Sequence, residues 1–166
     1  NGNYSIGSFT DGMLTVDPAT LTATLAADNK VYDGTVSATG TLNDDRLSGD
    51  TLDLNPDSFT FGDANAATGI PVTASGLNLT GADASNYTLA SASVTDMADI
   101  TKAPLNVSLL TPNPNRRKGE PNPDFALDFT GFVLSEDVGE IDTQPIATTT
   151  AEAGSNPGTF PITISG

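Results

Sequence analysis

The sequence contains no cysteine, no histidine and no tryptophan. The absence of cysteine excludes disulfides and thiolate chemistry, and without histidine the usual general base of enzymes is missing as well. Aromatic residues make up only 6% of the chain, so any core is thin and consists mainly of leucine, valine, isoleucine and alanine. We therefore expect neither an enzyme nor a cofactor, with a bound calcium ion as the alternative.

Positive charge is also scarce. Six Lys and Arg residues stand against 21 Asp and Glu residues, which gives a formal net charge of −15. A field of that sign repels nucleic acids and anionic membranes and attracts divalent cations, so we expect no nucleic-acid partner. No stretch approaches the roughly 18 apolar residues of a membrane span, and we expect no membrane insertion. The polar start and the absence of a signal peptide indicate a fragment excised from a longer protein.

Apolar and polar residues alternate with a period of two over many short segments. Examples are LTATL at 21–25 and FALDF at 125–129. Glycine, proline, asparagine or aspartate bounds each segment, and the 3.6-residue period of a helix is missing. The pattern predicts an all-β fold of two small β-sandwich modules in tandem, each with one packed face and one face in water. We expect the molecule to be elongated.

An internal repeat indicates how the chain is organised. Asn3–Leu21 reads NYSIGSFTDGMLTVDPATL, and Asn86–Leu105, about 84 residues further on, reads NYTLASASVTDMADITKAPL. Both copies open on Asn-Tyr, carry Thr-Asp in the middle and close on a proline-containing joint before a leucine. We interpret each copy as the last two strands of a module, followed by a short joint into the next module.

This interpretation divides the chain into three segments. Residues 1–17 are the terminal strands of a preceding module, residues 18–102 are a complete β module, and residues 103–166 are a second β module that lacks its final strands. An unfinished module exposes an unpaired sheet edge, which readily accepts a strand from elsewhere.

Residues 1–17 have the alternation that such an acceptor edge requires. Their apolar positions are Tyr4 and Ile6, then Leu14 and Val16. A whole module separates them from the second module of their own chain. We therefore predict donation between molecules, head to tail, by strand complementation between neighbouring repeats.

Several motifs in order carry a resemblance to two known families. The first half reads KVYDGT at Lys30–Thr35, then SGDTL, VTASGLNLTGADASNYTL and ADITKAPL, and it resembles the bacterial YDG domain. The second half runs from ITKAPL through GEPNPDF at Gly119–Phe125 and TGF to PGTFPITISG, and it resembles the MBG family that often follows YDG domains. By this resemblance residues 1–17 end an MBG-like module, residues 18–102 are YDG-like, and residues 103–166 are an incomplete MBG-like module.

The resemblance also implies a location and a role. These families look like tandem β-sandwich repeats of very large secreted or cell-surface bacterial adhesins, including haemagglutinin-like proteins. The implied function is a structural stalk or spacer in adhesion or biofilm, outside the cell, with neighbouring repeats of the same protein as partners. Two alternatives are a carbohydrate-binding β-sandwich, which makes a glycan a candidate partner, and a calcium-stiffened extender domain.

The Tyr32-Asp33-Gly34 signature has two interpretations. Asp-Gly is a strong turn signal because glycine tolerates a positive φ and aspartate bonds the backbone locally. The functional alternative makes Tyr32 and Asp33 a contact for carbohydrate.

Aspartates crowd the middle of the first module. Calcium takes six to eight oxygen ligands, and carboxylates on adjacent loops supply them, so we predict Asp44, Asp45 and Asp50 as the first candidates for a calcium site. An alternative calcium site lies at the joints, with the ligands Asp17, Asp96 and Asp99. In the structural interpretation, all of these aspartates are solvated turn residues that bind no metal.

Half of the basic residues lie in one proline-rich loop. Asn113–Pro123 contains Arg116, Arg117 and Lys118, and its prolines exclude a central strand. The three side chains form either a solvated loop tip or a small basic spot that meets an acidic neighbouring module or an anionic glycan.

Overall fold

The structure, a computed structural model, describes residues 2, 3, 5–8 and 10–166; Asn1, Tyr4 and Phe9 lie outside the described part. Its regular elements are β-strands, apart from two 3₁₀ turns at Ala84–Asn86 and Val138–Glu140. The strands are β1 (Ala19–Leu21), β2 (Ala23–Ala27), β3 (Lys30–Val31), β4 (Gly40–Asp44), β5 (Asp53–Asn55), β6 (Ser58–Phe61), β7 (Ala67–Ser75), β8 (Asn78–Thr80), β9 (Tyr87–Leu89), β10 (Ser93–Thr101), β11 (Asn106–Leu109), β12 (Leu127–Thr130), β13 (Ile146–Thr149) and β14 (Ile162–Ser165). The prediction of an all-β fold is confirmed.

These strands pair in small sheets. One sheet has four strands in the order β3-β10-β7-β6, and the others are the pairs β1-β9, β2-β4, β5-β8, β11-β12 and β13-β14. β1 with β9 and β3 with β10 are parallel, and the five pairs β2-β4, β5-β8, β6-β7, β11-β12 and β13-β14 are antiparallel. A parallel pair requires a long connection. The β1-β9 pair therefore brings together strands from the two ends of the first module.

The strands group into two compact units. Unit 1 comprises the described residues of Asn1–Asp28 with Ser37–Gly62 and Pro71–Ala98, and unit 2 comprises Asn29–Val36, Asp63–Ile70 and Asp99–Gly166. The two longest strands, β7 and β10, contribute residues to both units. Unit 2 thus contains chain from both sides of the boundary predicted between residues 102 and 103, and that boundary stays a prediction.

The core of unit 1 forms around Leu21, which is fully buried. The parallel register places Leu21 of β1 opposite Leu89 of β9, and Leu52 and Tyr87 complete the buried cluster. Three partly buried residues pack against it; they are Leu79, Ala84 and Leu89. The cluster therefore exists only when β1 and β9 are paired.

Burial alternates along the two long strands, as period two requires. On β7 the side chains of Ile70, Val72 and Ala74 are buried, Pro71 between the first two is exposed, and Thr73 is partly buried. On β10 the alternation continues, with Ala98 and Ile100 buried. The apolar stripe predicted from sequence alternation is the stripe that packs.

The second half of the chain has no such core. Among the described residues, the ten buried hydrophobic ones run from Leu21 to Ile100, and none of residues 103–166, all of which the structure describes, is buried. Each strand from β11 to β14 alternates between partly buried and exposed positions. The two strand pairs of the second half, β11-β12 and β13-β14, therefore each leave one apolar face incompletely covered.

The described residues before Pro18 form no strand. Their large apolar side chains are exposed: Ile6 is 75% exposed, Leu14 91% and Val16 85%. The predicted strand alternation is therefore present in this segment without a partner on its own chain. Donation to another repeat, which the sequence predicts, stays a prediction.

We predict that Leu21→Ala destabilises the protein by about 2–5 kcal/mol, because it removes a fully buried side chain from a small cluster and leaves a cavity. Denaturant unfolding followed by circular dichroism measures the change. Leu110→Ala is the matched control, since Leu110 is 65% exposed, and we expect it to change the free energy of unfolding by less than about 0.5 kcal/mol. Equal effects of the two substitutions would contradict the assignment of the core.

Candidate functional site

The Tyr-Asp-Gly segment forms a tight turn directly after β3. The Asp33 carboxylate accepts hydrogen bonds from the Thr35 amide and the Thr35 hydroxyl, both at 2.9 Å. Gly34 has φ +74°, a conformation that favours glycine. Local bonding by Asp33 and a positive φ at Gly34 are the two features that the sequence predicted, so the turn is confirmed.

Lys30 closes this turn from the strand side. Its ammonium donates to the Asp33 carboxylate at 2.8 Å and to the Thr35 carbonyl at 2.6 Å. The hydrogen bond from Lys30, followed by those from Thr35, lowers the pKa of Asp33 to about 2. The carboxylate is thus held ionised, with its Oδ1 atom bonded within the turn while the side chain stays 51% exposed.

Tyr32 extends from the turn to a segment more than a hundred residues away in sequence. Its hydroxyl donates a short hydrogen bond to the Glu136 carboxylate, and its amide donates to the Thr101 carbonyl at 2.8 Å. Bonding to Glu136 raises the pKa of Tyr32, because the carboxylate accepts a bond from the neutral hydroxyl and repels the phenolate. The Leu134 side chain occupies the space where a Cβ on Gly34 would lie. All of these residues belong to unit 2.

A small cavity of about 250 Å³ lies beside Tyr32. Lys102, Ala103 and Phe132 are among its lining residues. The Tyr32 hydroxyl bonds Glu136, and Oδ1 of Asp33 bonds Lys30 and Thr35, so the Tyr-Asp-Gly turn holds segments of unit 2 together. Carbohydrate contact by Tyr32 and Asp33 stays a prediction.

The three aspartates predicted to bind calcium have three separate partners. Asp44 forms an ion pair with Arg46, with Oδ1 2.7 Å from Nε and Oδ2 2.5 Å from Nη2. This bonding to Arg46 lowers the pKa of Asp44. Asp45 accepts from the Thr22 amide at 2.7 Å and so ties β4 to the start of the first module.

The Asp50 carboxylate accepts a hydrogen bond from the Tyr87 hydroxyl, with an oxygen–oxygen distance of 2.5 Å. The same hydroxyl accepts from the Leu47 amide at 3.0 Å, so Tyr87 fastens the turn at residues 47–50 to β9. In the part of the chain that the structure describes, no group of three or more acidic side chains is placed to hold a metal ion. Calcium binding stays a prediction, and the melting temperature with calcium and with a chelator decides it.

The aspartates near the joints also bond to the backbone. Asp96 accepts from the Ala27 amide at 3.0 Å, and this bond lowers its pKa. Asp99 accepts from the Gly69 amide at 2.7 Å, whereas Asp17 is exposed. Asp96 therefore connects β10 to β2, which lies in another sheet, and Asp99 adds a side-chain bond between the neighbouring strands β10 and β7.

The basic residues of the proline-rich loop are mostly bonded to neutral acceptors. Arg116 donates to the Asn122 side chain at 2.7 Å and to the Glu152 carbonyl at 2.5 Å, and Lys118 donates to Asn156 at 2.9 Å. These bonds attach the loop to the turn that follows β13. Arg117 is exposed, beside a groove of about 860 Å³. Its role as a basic contact stays a prediction.

Two family models match the chain. Residues 17–95 match the YDG domain, and residues 110–166 match the MBG domain of the YGX type. The chain carries a YDG domain and an MBG domain in tandem. No curated protein and no solved structure matches it.

Neither the YDG nor the MBG domain is an enzyme family. Among the residues that the structure describes, no helix has the length and the apolar character needed to span a membrane. The Tyr-Asp-Gly turn of the YDG domain and the Leu134–Glu136 segment of the MBG domain meet in unit 2, so the joint between the two domains is the site with the most distinctive side-chain chemistry.

Leu134 and Glu136 were not predicted as site residues. Leu-Ser-x-Asp occurs in both domains, at 47–50 and at 134–137, but the sequence does not show what the motif binds. In the YDG domain this turn receives Tyr87, and in the MBG domain the Glu136 position receives Tyr32. A tyrosine hydroxyl therefore bonds each copy of the motif.

We predict that Glu136→Gln lowers the pKa of Tyr32 towards its ordinary value near 10, because the substitution removes the carboxylate that favours the neutral hydroxyl. Titration of the tyrosine ring signals by NMR measures the change. Asp50→Asn is the matched control, since bonding to Asp50 raises the pKa of Tyr87, and it should shift Tyr87 and leave Tyr32 unchanged. A Tyr32 titration that is insensitive to Glu136→Gln would refute the contact.

Proposed function

We propose that this YDG–MBG pair is a structural repeat of a bacterial cell-surface or secreted adhesin. It acts as a stalk or spacer in adhesion or biofilm and works outside the cell. Support comes from the tandem match to the two families and from the resemblance of both halves to repeats of large secreted adhesins. The pair has no catalytic role in this proposal, in keeping with the lack of histidine and cysteine.

The observation that carries the proposal is the short, braced joint between the domains. β10 ends at Thr101 and β11 begins at Asn106, so only four residues connect the strands, one of them Pro104. The Tyr32 hydroxyl bonds Glu136 across this joint within unit 2. A short joint with a proline and a side-chain brace bends less than a glycine-serine linker, and limited bending is what a spacer requires.

Exposed aromatic side chains are too few to favour the carbohydrate-binding alternative. A glycan-binding face needs aromatic rings on the surface, since they pack against sugars. Among the described residues, Phe160, at 38% exposure, is the only exposed tyrosine or phenylalanine. The remaining described rings are at least partly buried, which supports a structural use of the domains.

The spacer proposal predicts how size grows with the number of repeats. For two and three copies joined from Gly166 to Asn1, we expect the maximum dimension from small-angle scattering to rise in proportion to the copy number, whereas a flexible string grows roughly with the square root. Tyr32→Ala should increase the bending, because it removes the brace to Glu136. Val31→Ala, at a neighbouring position that is 54% exposed, is the control and should not. Square-root growth for the unmodified chain would exclude a stalk.

A further inference from the structure

The described residues 5–16 expose large apolar side chains that their own chain does not cover. Met13 is 102% exposed, and Ile6, Leu14 and Val16 are each at least 75% exposed. Water-exposed apolar groups at this density favour association, because burying them gains free energy in proportion to the area covered. The question is which surface covers them.

The internal repeat identifies the structural role of this segment. Aligned on the opening Asn-Tyr pairs, Ile6 corresponds to Leu89 of β9; aligned on the closing leucines Leu21 and Leu105, Leu14 and Val16 correspond to Ala98 and Ile100 of β10. Ala98 and Ile100 are buried, at 4% and 2% exposure.

Met13 corresponds to Met97, which remains 62% exposed within β10. The same sequence pattern therefore forms two packed strands in the YDG domain and stands unpaired at residues 5–16. It also predicts which side chains of the unpaired copy face a partner and which face water.

The MBG domain has the surface that such strands would cover. Leu105 is the counterpart of Leu21 in the repeat. Leu21, whose strand β1 pairs with β9, is fully buried, whereas Leu105 is only partly buried. No strand of the described residues pairs with Ala103–Leu105, whereas the equivalent Ala19–Leu21 pairs in parallel with β9. None of residues 103–166 is buried, whereas the YDG domain buries Leu21 beside β9 and Ala98 and Ile100 within β10.

We propose that residues 3–16 of one molecule complete the MBG domain of a second molecule, in the places that β9 and β10 hold in the YDG domain. The parallel register of β1 and β9 then places Ser5 of the donor opposite Pro104 of the acceptor and Ile6 opposite Leu105. The donor side chains that face the acceptor are those of Ile6, Leu14 and Val16. This exchange goes beyond a spacer role, because it specifies a partner, an orientation and a register.

Analytical ultracentrifugation of the full chain tests which side chains face the partner. We expect concentration-dependent association that strengthens with added salt, since each molecule carries a formal charge of −15. Leu14→Asp and Val16→Asp should each weaken association about tenfold or more, because each places a carboxylate in an apolar contact. Met13→Asp is the matched control and should leave association unchanged.

The three substitutions lie at exposed positions, so the melting temperature of the dilute monomer should be the same for all of them. A monomeric wild-type chain at all concentrations would overturn the proposal. Equal weakening by the three variants would overturn it too, since that result indicates unspecific apolar contact.

Cysteine crosslinking tests the register directly, because the chain has no cysteine of its own. A mixture of Ser5→Cys and Pro104→Cys molecules should form the mixed disulfide rapidly under mild oxidation, since paired strand positions lie within the reach of a disulfide. Ser8→Cys with Pro104→Cys is the out-of-register control and should react at least about tenfold more slowly. Equal rates for the two mixtures would overturn the register.

The outcome is independent of the spacer proposal. Scattering from covalently joined copies measures bending within one chain, and the experiments above measure exchange between separate chains. If covalently joined copies are stiff and separate chains do not associate, strand donation is refuted and the spacer role stays intact.

Discussion

The parallel pairing of β1 with β9 is the interaction on which the rest of the YDG domain depends. The chain has few aromatic residues, so a small cluster around Leu21 must supply much of the buried apolar contact of unit 1. Leu21 contacts Leu52 and Tyr87 only when the first and the ninth strand lie side by side. Aspartates then fasten the loops around the cluster, through Asp45 to Thr22 and Asp50 to Tyr87. The abundance of acidic residues is thus partly a way of satisfying backbone and hydroxyl donors in a protein of many short strands.

Local features of the sequence predicted local structure well. Alternation at 21–25 predicted the region of β1 and β2, alternation at 125–129 predicted β12, which begins two residues later at Leu127, and Asp33-Gly34 predicted a turn, because these signals depend on residues a few positions apart. The aspartate cluster shows where such inference ends. Asp44, Asp45 and Asp50 are close in sequence, yet their partners are a neighbouring arginine, an amide 23 residues away and a hydroxyl 37 residues away. Successive strand residues point to opposite faces, so crowding along the chain does not imply convergence in space.

The two domains use tyrosine in a related way. Tyr87 and Tyr32 each present a hydroxyl to a carboxylate beside a Leu-Ser-x-Asp turn, one within the YDG domain and one from the YDG domain to the MBG domain. The phenol ring adds apolar contact, and its hydroxyl fixes the direction of the loop. This pairing was beyond sequence inference because Tyr32 and Glu136 are 104 residues apart. The short Leu-Ser-x-Asp repeat becomes meaningful only once one copy is seen with its tyrosine in place.

The long separation of β1 and β9 also governs when the YDG domain becomes folded. Leu21 and its partner Leu89 are 68 residues apart, so the central cluster stays open until nearly the whole domain has been synthesised. Contacts between distant segments form slowly because the chain between them must first be ordered. A nascent chain therefore cannot complete this cluster until its ninth strand has left the ribosome, and the domain closes in one late step.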